Sequence, residues 1–145
     1  MKKLLILLLA LPLLAACACG VSRNATDAAT GAAPVEAQLL GGRFVLQSVN
    51  GEATAWERRP EIAFGEGMRM TGQVCNRFIG PGTYKNGVLT APQMAMTMML
   101  CVDDKLTQLE RDFAAMLRNG AKVGLEKDTL TLRGETLTLV YTRSN

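Results

Sequence analysis

The sequence predicts a mainly β (α+β) domain: a small antiparallel β-barrel-like or strongly curved sheet with one α-helix inserted before the last three strands. Three observations carry this expectation. Short runs rich in Val, Leu, Phe, Ile, Thr and Tyr recur between residues 43 and 90, separated by Gly, Asn and Pro turn signals. The period then changes once. From Asp103 to Asn119 the apolar residues Leu106, Leu109, Phe113, Met116 and Leu117 share one helical face. Three more strand-like runs follow in quick succession. Roughly seven to nine strands this short hide their edges best by curling, with the helix over one open mouth or face.

The chain begins with an export address. Met1-Lys2-Lys3 is a positive n-region, and Leu4 to Leu14 is an apolar h-region too short to span a bilayer core of ~30 Å. Leu14-Ala15-Ala16-Cys17 resembles a bacterial lipobox, which makes residues 1–16 a lipoprotein signal peptide and Cys17 the acylated first residue of the mature chain. An ordinary secretory signal with a small-residue cleavage site is the alternative, and both readings export the chain. Ala18, where a retained lipoprotein carries Asp, implies the outer membrane, facing the periplasm. The membrane is then a partner through the lipid anchor, with each buried CH₂ contributing ~0.8 kcal/mol. Cys19 is a bystander or a spare thiol. Ala18 to Gln38 is poor in large apolar side chains, so residues 17–39 are expected to be a flexible tether and residues 40–143 the folded domain.

Within the domain, Arg43 to Val49 reads as a strand ending at the hairpin-type signal Asn50-Gly51. Glu52 to Arg59 is loop-like and holds Trp56, either a plug on the core or a surface anchor. Glu61 to Phe64 is a short strand, Gly65 to Gly67 a turn, and Met68 to Cys75 a half-buried strand. Asn76 to Gly82, with Gly80, Pro81 and Gly82, is expected to bend. Thr83-Tyr84-Lys85 and Val88-Leu89-Thr90 flank Asn86-Gly87, the clearest hairpin in the chain. Met94 to Leu100 is another strand candidate. Asp103 or Asp104 can cap the helix, Thr107 with Glu110 offers a second capping box, and Gly120 ends it. Ala121 to Glu126, Thr129 to Arg133 and Thr136 to Tyr141 then form a meander, with Leu130, Leu132, Leu137 and Leu139 at period two.

Charge and composition exclude several functions. Removing Lys2 and Lys3 from 16 basic residues leaves 14 against 13 acidic ones, a balance that argues against nucleic acid as a partner. The chain has no His, so a His-based triad and an HExxH zinc site are excluded. Ser48 and Ser144 therefore lack an imidazole partner, and no carboxylate spacing recommends acid–base chemistry. No cofactor is expected.

What chemistry remains centres on sulfur. Cys75 and Cys101 belong in an oxidising compartment, where they would form a structural disulfide closing a loop of about 25 residues for roughly 3–4 kcal/mol. A redox-active pair is the sharper alternative, without the CxxC spacing that would recommend it. Met94, Met96 and Met98 share one strand face, with Met99 beside them, and are weak candidates for a Cu(I) or oxidant sink. Filling of irregular core space is the plainer reading. Asn76 to Gly82, with nearby strand ends, is the candidate binding loop and Asn76, Arg77 and Phe78 its candidate residues, with Asn76 expected to bond backbone at the bend and Arg77 to reach a surface contact.

These same words resemble the META domain family. Phe44-Val45-Leu46-x-Ser48-Val49-Asn50-Gly51, Pro60-Glu61-Ile62-x-Phe64-Gly65, Cys75-Asn76-Arg77-Phe78-x-Gly80, Ala95-Met96-Thr97-x-Met99-x-Cys101 and Glu110-x-x-Phe113 carry the likeness, which covers nearly the whole mature domain. Val74 stands where many members have Gly. The resemblance implies a β-barrel-like fold with one helix, an envelope location and a role in stress or drug tolerance, with no catalytic residues. The expected function is thus a non-enzymatic envelope lipoprotein of the heat-shock and novobiocin-tolerance type, binding an unknown envelope protein or small molecule. Inhibition of an envelope hydrolase, a lysozyme or a protease, is the alternative.

Overall fold

The computed structural model describes residues 34–144; the signal peptide, Cys17, Cys19 and most of the expected tether lie outside the described residues. Eleven strands form one antiparallel sheet: β1 (Arg43–Val49), β2 (Glu52–Ala53), β3 (Glu61–Phe64), β4 (Arg69–Gln73), β5 (Arg77–Pro81), β6 (Thr83–Lys85), β7 (Val88–Thr90), β8 (Ala95–Met96), β9 (Ala121–Glu126), β10 (Thr129–Arg133) and β11 (Thr138–Ser144). A short helix α1 (Val35–Leu39) precedes them, and α2 (Asp104–Asn119) lies between β8 and β9. The folded unit thus takes in residues before position 40, since Leu39 is fully buried.

Hydrogen-bonded neighbours run β6-β7-β9-β10-β11-β1-β3-β4-β5-β8, with β2 paired to β1. One residue, Gly82, joins β5 to β6, yet these strands lie toward opposite ends of that path. The sheet must therefore curl until its ends meet in the chain, which produces the barrel-like wrap the short strands called for. A register shift between Leu46 and Ser48, where β1 pairs β11, adds local twist.

Period two sets the inward face. Phe44, Leu46, Ile62, Phe64, Met70, Phe78, Leu89, Leu130, Leu132, Leu139 and Tyr141 are all buried. From α2, Leu109, Phe113, Met116 and Leu117 close the core, as their spacing required, and Leu106 packs at its border. Asp103 is the helix N-cap, accepting from the amides of Lys105 and Leu106, and Gly120 ends the helix at φ 106°. The Phe78 and Phe113 rings meet 5.2 Å apart and tie helix to sheet.

Three local expectations are corrected. Asn76 to Gly82 does not simply bend, because Arg77 to Pro81 is strand β5. Gly80 is there for close approach: a Cβ would stand 2.8 Å from the Met94 Cα. The strand expected over Met94 to Leu100 shrinks to Ala95–Met96, for a reason found at Asn76 below. The loop expected at Glu52 contains β2, which pairs Val49 with Glu52 across Asn50 and Gly51, both at positive φ.

Candidate functional site

The turn between β4 and β5 places Asn76 almost wholly inside, at 5% exposure. A buried amide requires partners, and here each is supplied. Glu110, one helical turn before Phe113, reaches across to this turn instead of forming a capping box with Thr107. Its Oε2 accepts from the backbone amides of Cys75 (3.2 Å) and Asn76 (2.5 Å), and its Oε1 accepts from Asn76 Nδ2 (2.9 Å). The helix thereby clamps the start of β5 through one carboxylate.

Asn76 passes that rigidity to the segment after β8. Its Oδ1 accepts from the Met99 amide (2.7 Å) and the Thr97 hydroxyl (3.0 Å). Its Nδ2 donates to the Met99 carbonyl (3.2 Å) and lies 3.7 Å from Cys101 Sγ. The Arg77 amide donates to Thr97 Oγ1, and the Thr97 amide donates to the Arg77 carbonyl. Beyond Thr97, opposite Arg77, β5 offers β8 no further residue to pair, and Asn76 then takes both backbone groups of Met99, so the ladder stops at Met96. Cys101 is disulfide-bonded to Cys75, with Cα atoms 6.1 Å apart.

The far end of the segment is also held. Asp103 Oδ2 accepts from the Trp56 indole nitrogen at 3.0 Å. The Leu106 amide, Trp56 and Lys105 together hold the Asp103 carboxyl below its ordinary value, against an opposing effect of partial desolvation. Trp56 is half-buried against the core border and fastens the helix cap, so it combines the two roles considered for it.

What this scaffold presents is apolar. Met98, Leu100 and Val102 expose 98%, 96% and 102% of their reference area, and Met99 exposes 74%. Shallow grooves flank the loop: Val102 and Asp103 line one with Val49 and Trp56, and Thr97 lines the other with Arg77 and Met96.

The sequence-nominated residues are distributed accordingly. Asn76 and Phe78 are buried, at 5% and 3% exposure, and offer no contact surface; Arg77 alone of that trio projects into solvent. Met94 and Met96 pack against the core as gap-filling methionines do, but Met98 does not join them, so the three do not form one face. The Cys75 and Cys101 sulfurs and a Glu110 oxygen all lie within 4.8 Å of one another. With the sulfurs bonded together, neither thiolate is available as a metal ligand. Sequence reading missed the exposed loop. Its signal was Met98-Met99-Leu100, three consecutive apolar residues that no period-two strand can bury on one face.

Comparison with known proteins follows the same boundaries. The META domain family matches residues 37–145. The chain is 47% identical over 105 residues to the Escherichia coli (strain K12) "Heat shock protein HslJ", covering 72% of this chain and 75% of that one. A protein solved by NMR is 44% identical, with a TM-score of 0.69 over 77% of this chain and 95% of its own. A second NMR structure, of a Burkholderia xenovorans protein, has a TM-score of 0.61 at 20% identity over 79% and 93% of the two chains, and shares the fold.

Proposed function

We propose, from the premise that this chain belongs to the META domain family, that it is a stress-response lipoprotein of the bacterial envelope acting by binding rather than by catalysis. Its lipid anchor is Cys17, its place is the periplasmic face of the outer membrane, and its activity contributes to heat and novobiocin tolerance. Its contact element is the loop Met98 to Val102, with Arg77 beside it. The observation that carries the reading is the exposure of four large apolar side chains, three of them almost completely, on a backbone fixed by a disulfide and a buried amide. Burying such a side chain contributes ~1.5–3 kcal/mol, so about 6–12 kcal/mol stays unclaimed until a partner covers them. Part of that gain is offset by lost freedom on association. Ordered loops on rigid scaffolds are where contact function concentrates.

The test is complementation. A strain lacking the gene is challenged with heat and with novobiocin, carrying either the wild-type gene or one with Met98, Met99, Leu100 and Val102 all changed to Ser. Wild type restores growth and the loop variant does not. Full rescue by the variant, at equal protein level, refutes the reading.

A second reading has its own support. A protruding loop whose backbone is braced from behind by an asparagine and a disulfide has the shape that fills a hydrolase cleft. Residual lysozyme or protease activity, measured with wild type and with the loop variant, separates the two. Inhibition lost only in the variant favours this alternative.

A further inference from the structure

We infer that the Met98 to Val102 loop is a membrane-docking element that inserts into the interface of the bilayer to which the chain is anchored. The inference deepens the binding reading above and rests on it, including its lipid anchor.

Shape is the first argument. Side chains exposed at 96–102% of their reference area have no protein wall around them. They form a knob, and a knob fits a soft lipid interface. Capture of an extended apolar peptide needs a groove or an open strand edge, whereas residues 98–102 lie past the end of β8 and only Val102 of the four lines a groove.

The length of chain outside the structure is the second. Sixteen residues separate Cys17 from Pro34, the first described residue. They can span at most about 55 Å, against a diameter of roughly 35 Å for a folded unit of this size. An anchor that long allows any face of the unit to reach the bilayer, and leaves its orientation to the unit's own surface. The unit needs only a modest apolar preference to select one face, because the anchor keeps it at high effective concentration.

The third argument is the border of the knob. Exposed Arg77 and Lys105 flank it, Arg77 through its amide bond to Thr97 and Lys105 three residues past Val102, while Glu52, Asp104 and Asp112 line the groove that Val102 shares. The Asp103 carboxylate is already engaged by Trp56 and two backbone amides. The two cations suit phosphate headgroups, and Trp56, bonded to Asp103 beside the loop, is an amphipathic ring of the kind that gathers in membrane interfaces.

Trp56 is the single tryptophan of the chain, so it reports docking without a label. The mature protein, acylated or with Cys17→Ser, is added to phosphatidylethanolamine–phosphatidylglycerol vesicles containing brominated acyl chains. Wild type is compared with the four-fold Ser variant, after circular dichroism and mass spectrometry show the fold and disulfide intact. The expected result is quenching of Trp56 in the acylated wild type and its loss in the variant. For the Cys17→Ser chain, the vesicle partition coefficient should fall at least roughly tenfold with the loop changed. Equal quenching in both chains, or none in either, overturns the inference. If the loop variant fails complementation while vesicle quenching is unaffected, docking on lipid falls and the binding reading stands with a protein as occupant. If both assays are indifferent to the loop, both fall.

Discussion

Asn76→Ala tests whether one buried amide organises the exposed loop. The substitution removes two hydrogen bonds with Met99, one from Thr97 and one to Glu110. The three on the loop side have partners that water can reach, so they cost about 0.5–1 kcal/mol each. The fourth has an ionised acceptor and costs about 1.5 kcal/mol or more. The sum is about 3–4 kcal/mol, or a fall of about 12–16 °C in Tm at roughly 4 °C per kcal/mol for a unit of this size. Urea unfolding followed by Trp56 fluorescence, with the disulfide confirmed by mass, measures it. Asn76→Asp makes the test sharper. It keeps the acceptor for Met99 and Thr97 but sets a second carboxyl against Glu110, where the amide had donated at 2.9 Å. At neutral pH it should destabilise at least as much as Ala, and it should recover as pH falls and a proton is shared between the two carboxyls. A folded Asn76→Ala protein within about 1 kcal/mol of wild type, or an Asp variant with no acid recovery, refutes the reasoning.

Three further outcomes follow from the same geometry. Changing Cys75 and Cys101 together to Ser should cost about 3.5 kcal/mol by loop-closure entropy over the 26-residue separation, read as a lower urea midpoint. Gly72→Ala should cost about 3 kcal/mol, because a Cβ would meet the Glu61 carbonyl and stand 2.5 Å from the Phe78 ring; unchanged stability would show that β3 and β5 shift more easily than their pairing implies. Asp103 is held below its ordinary 3.8, so its contribution is present above that pH and is lost as pH falls through its folded value; the stability gap between wild type and Asp103→Asn should narrow in urea titrations below about pH 4.

The parts of the fold written in local period and turn chemistry were legible. Leu109, Phe113 and Met116 marked the helix because a single face must be covered, and Asn86-Gly87 marked its hairpin because both residues take positive φ. What could not be read depended on contacts distant in sequence. Asn76 and Glu110 are 34 positions apart, so no local pattern couples them, and Glu110 read equally well as half of a capping box. Gly80 and Pro81 looked like a bend because their usual meaning is local, whereas here the missing side chain admits the Met94 backbone. Phe78 was nominated for contact by its neighbours in sequence, yet period two within β5 turns it inward beside Phe113 and leaves Arg77 outward. Leu39 was assigned to the tether by composition, while the Arg143 side chain holds this segment by donating to the Gln38 carbonyl at 2.7 Å.

The loop's composition separates two purposes that its bracing could serve. If the disulfide and Asn76 existed only to stabilise the domain, Met98, Met99, Leu100 and Val102 could be polar without loss, because exposed side chains contribute nothing to the core. A longer β8 would find no residue of β5 to pair beyond Arg77 and would only lengthen an open edge, so holding Met99 on Asn76 costs the sheet nothing. The sequence instead keeps four apolar residues in water at a fixed place, an arrangement that aggregation disfavours unless a partner covers them. Apolar contact also weakens on cooling and strengthens on warming within the range where the domain stays folded. Docking through Met98 to Val102 should therefore tighten with temperature, whereas docking through Arg77 would respond chiefly to salt. Vesicle partition of the Cys17→Ser chain measured between 15 and 40 °C, at low and high ionic strength, distinguishes them: affinity that falls on warming and collapses with salt would move the contact from the loop to the arginine beside it.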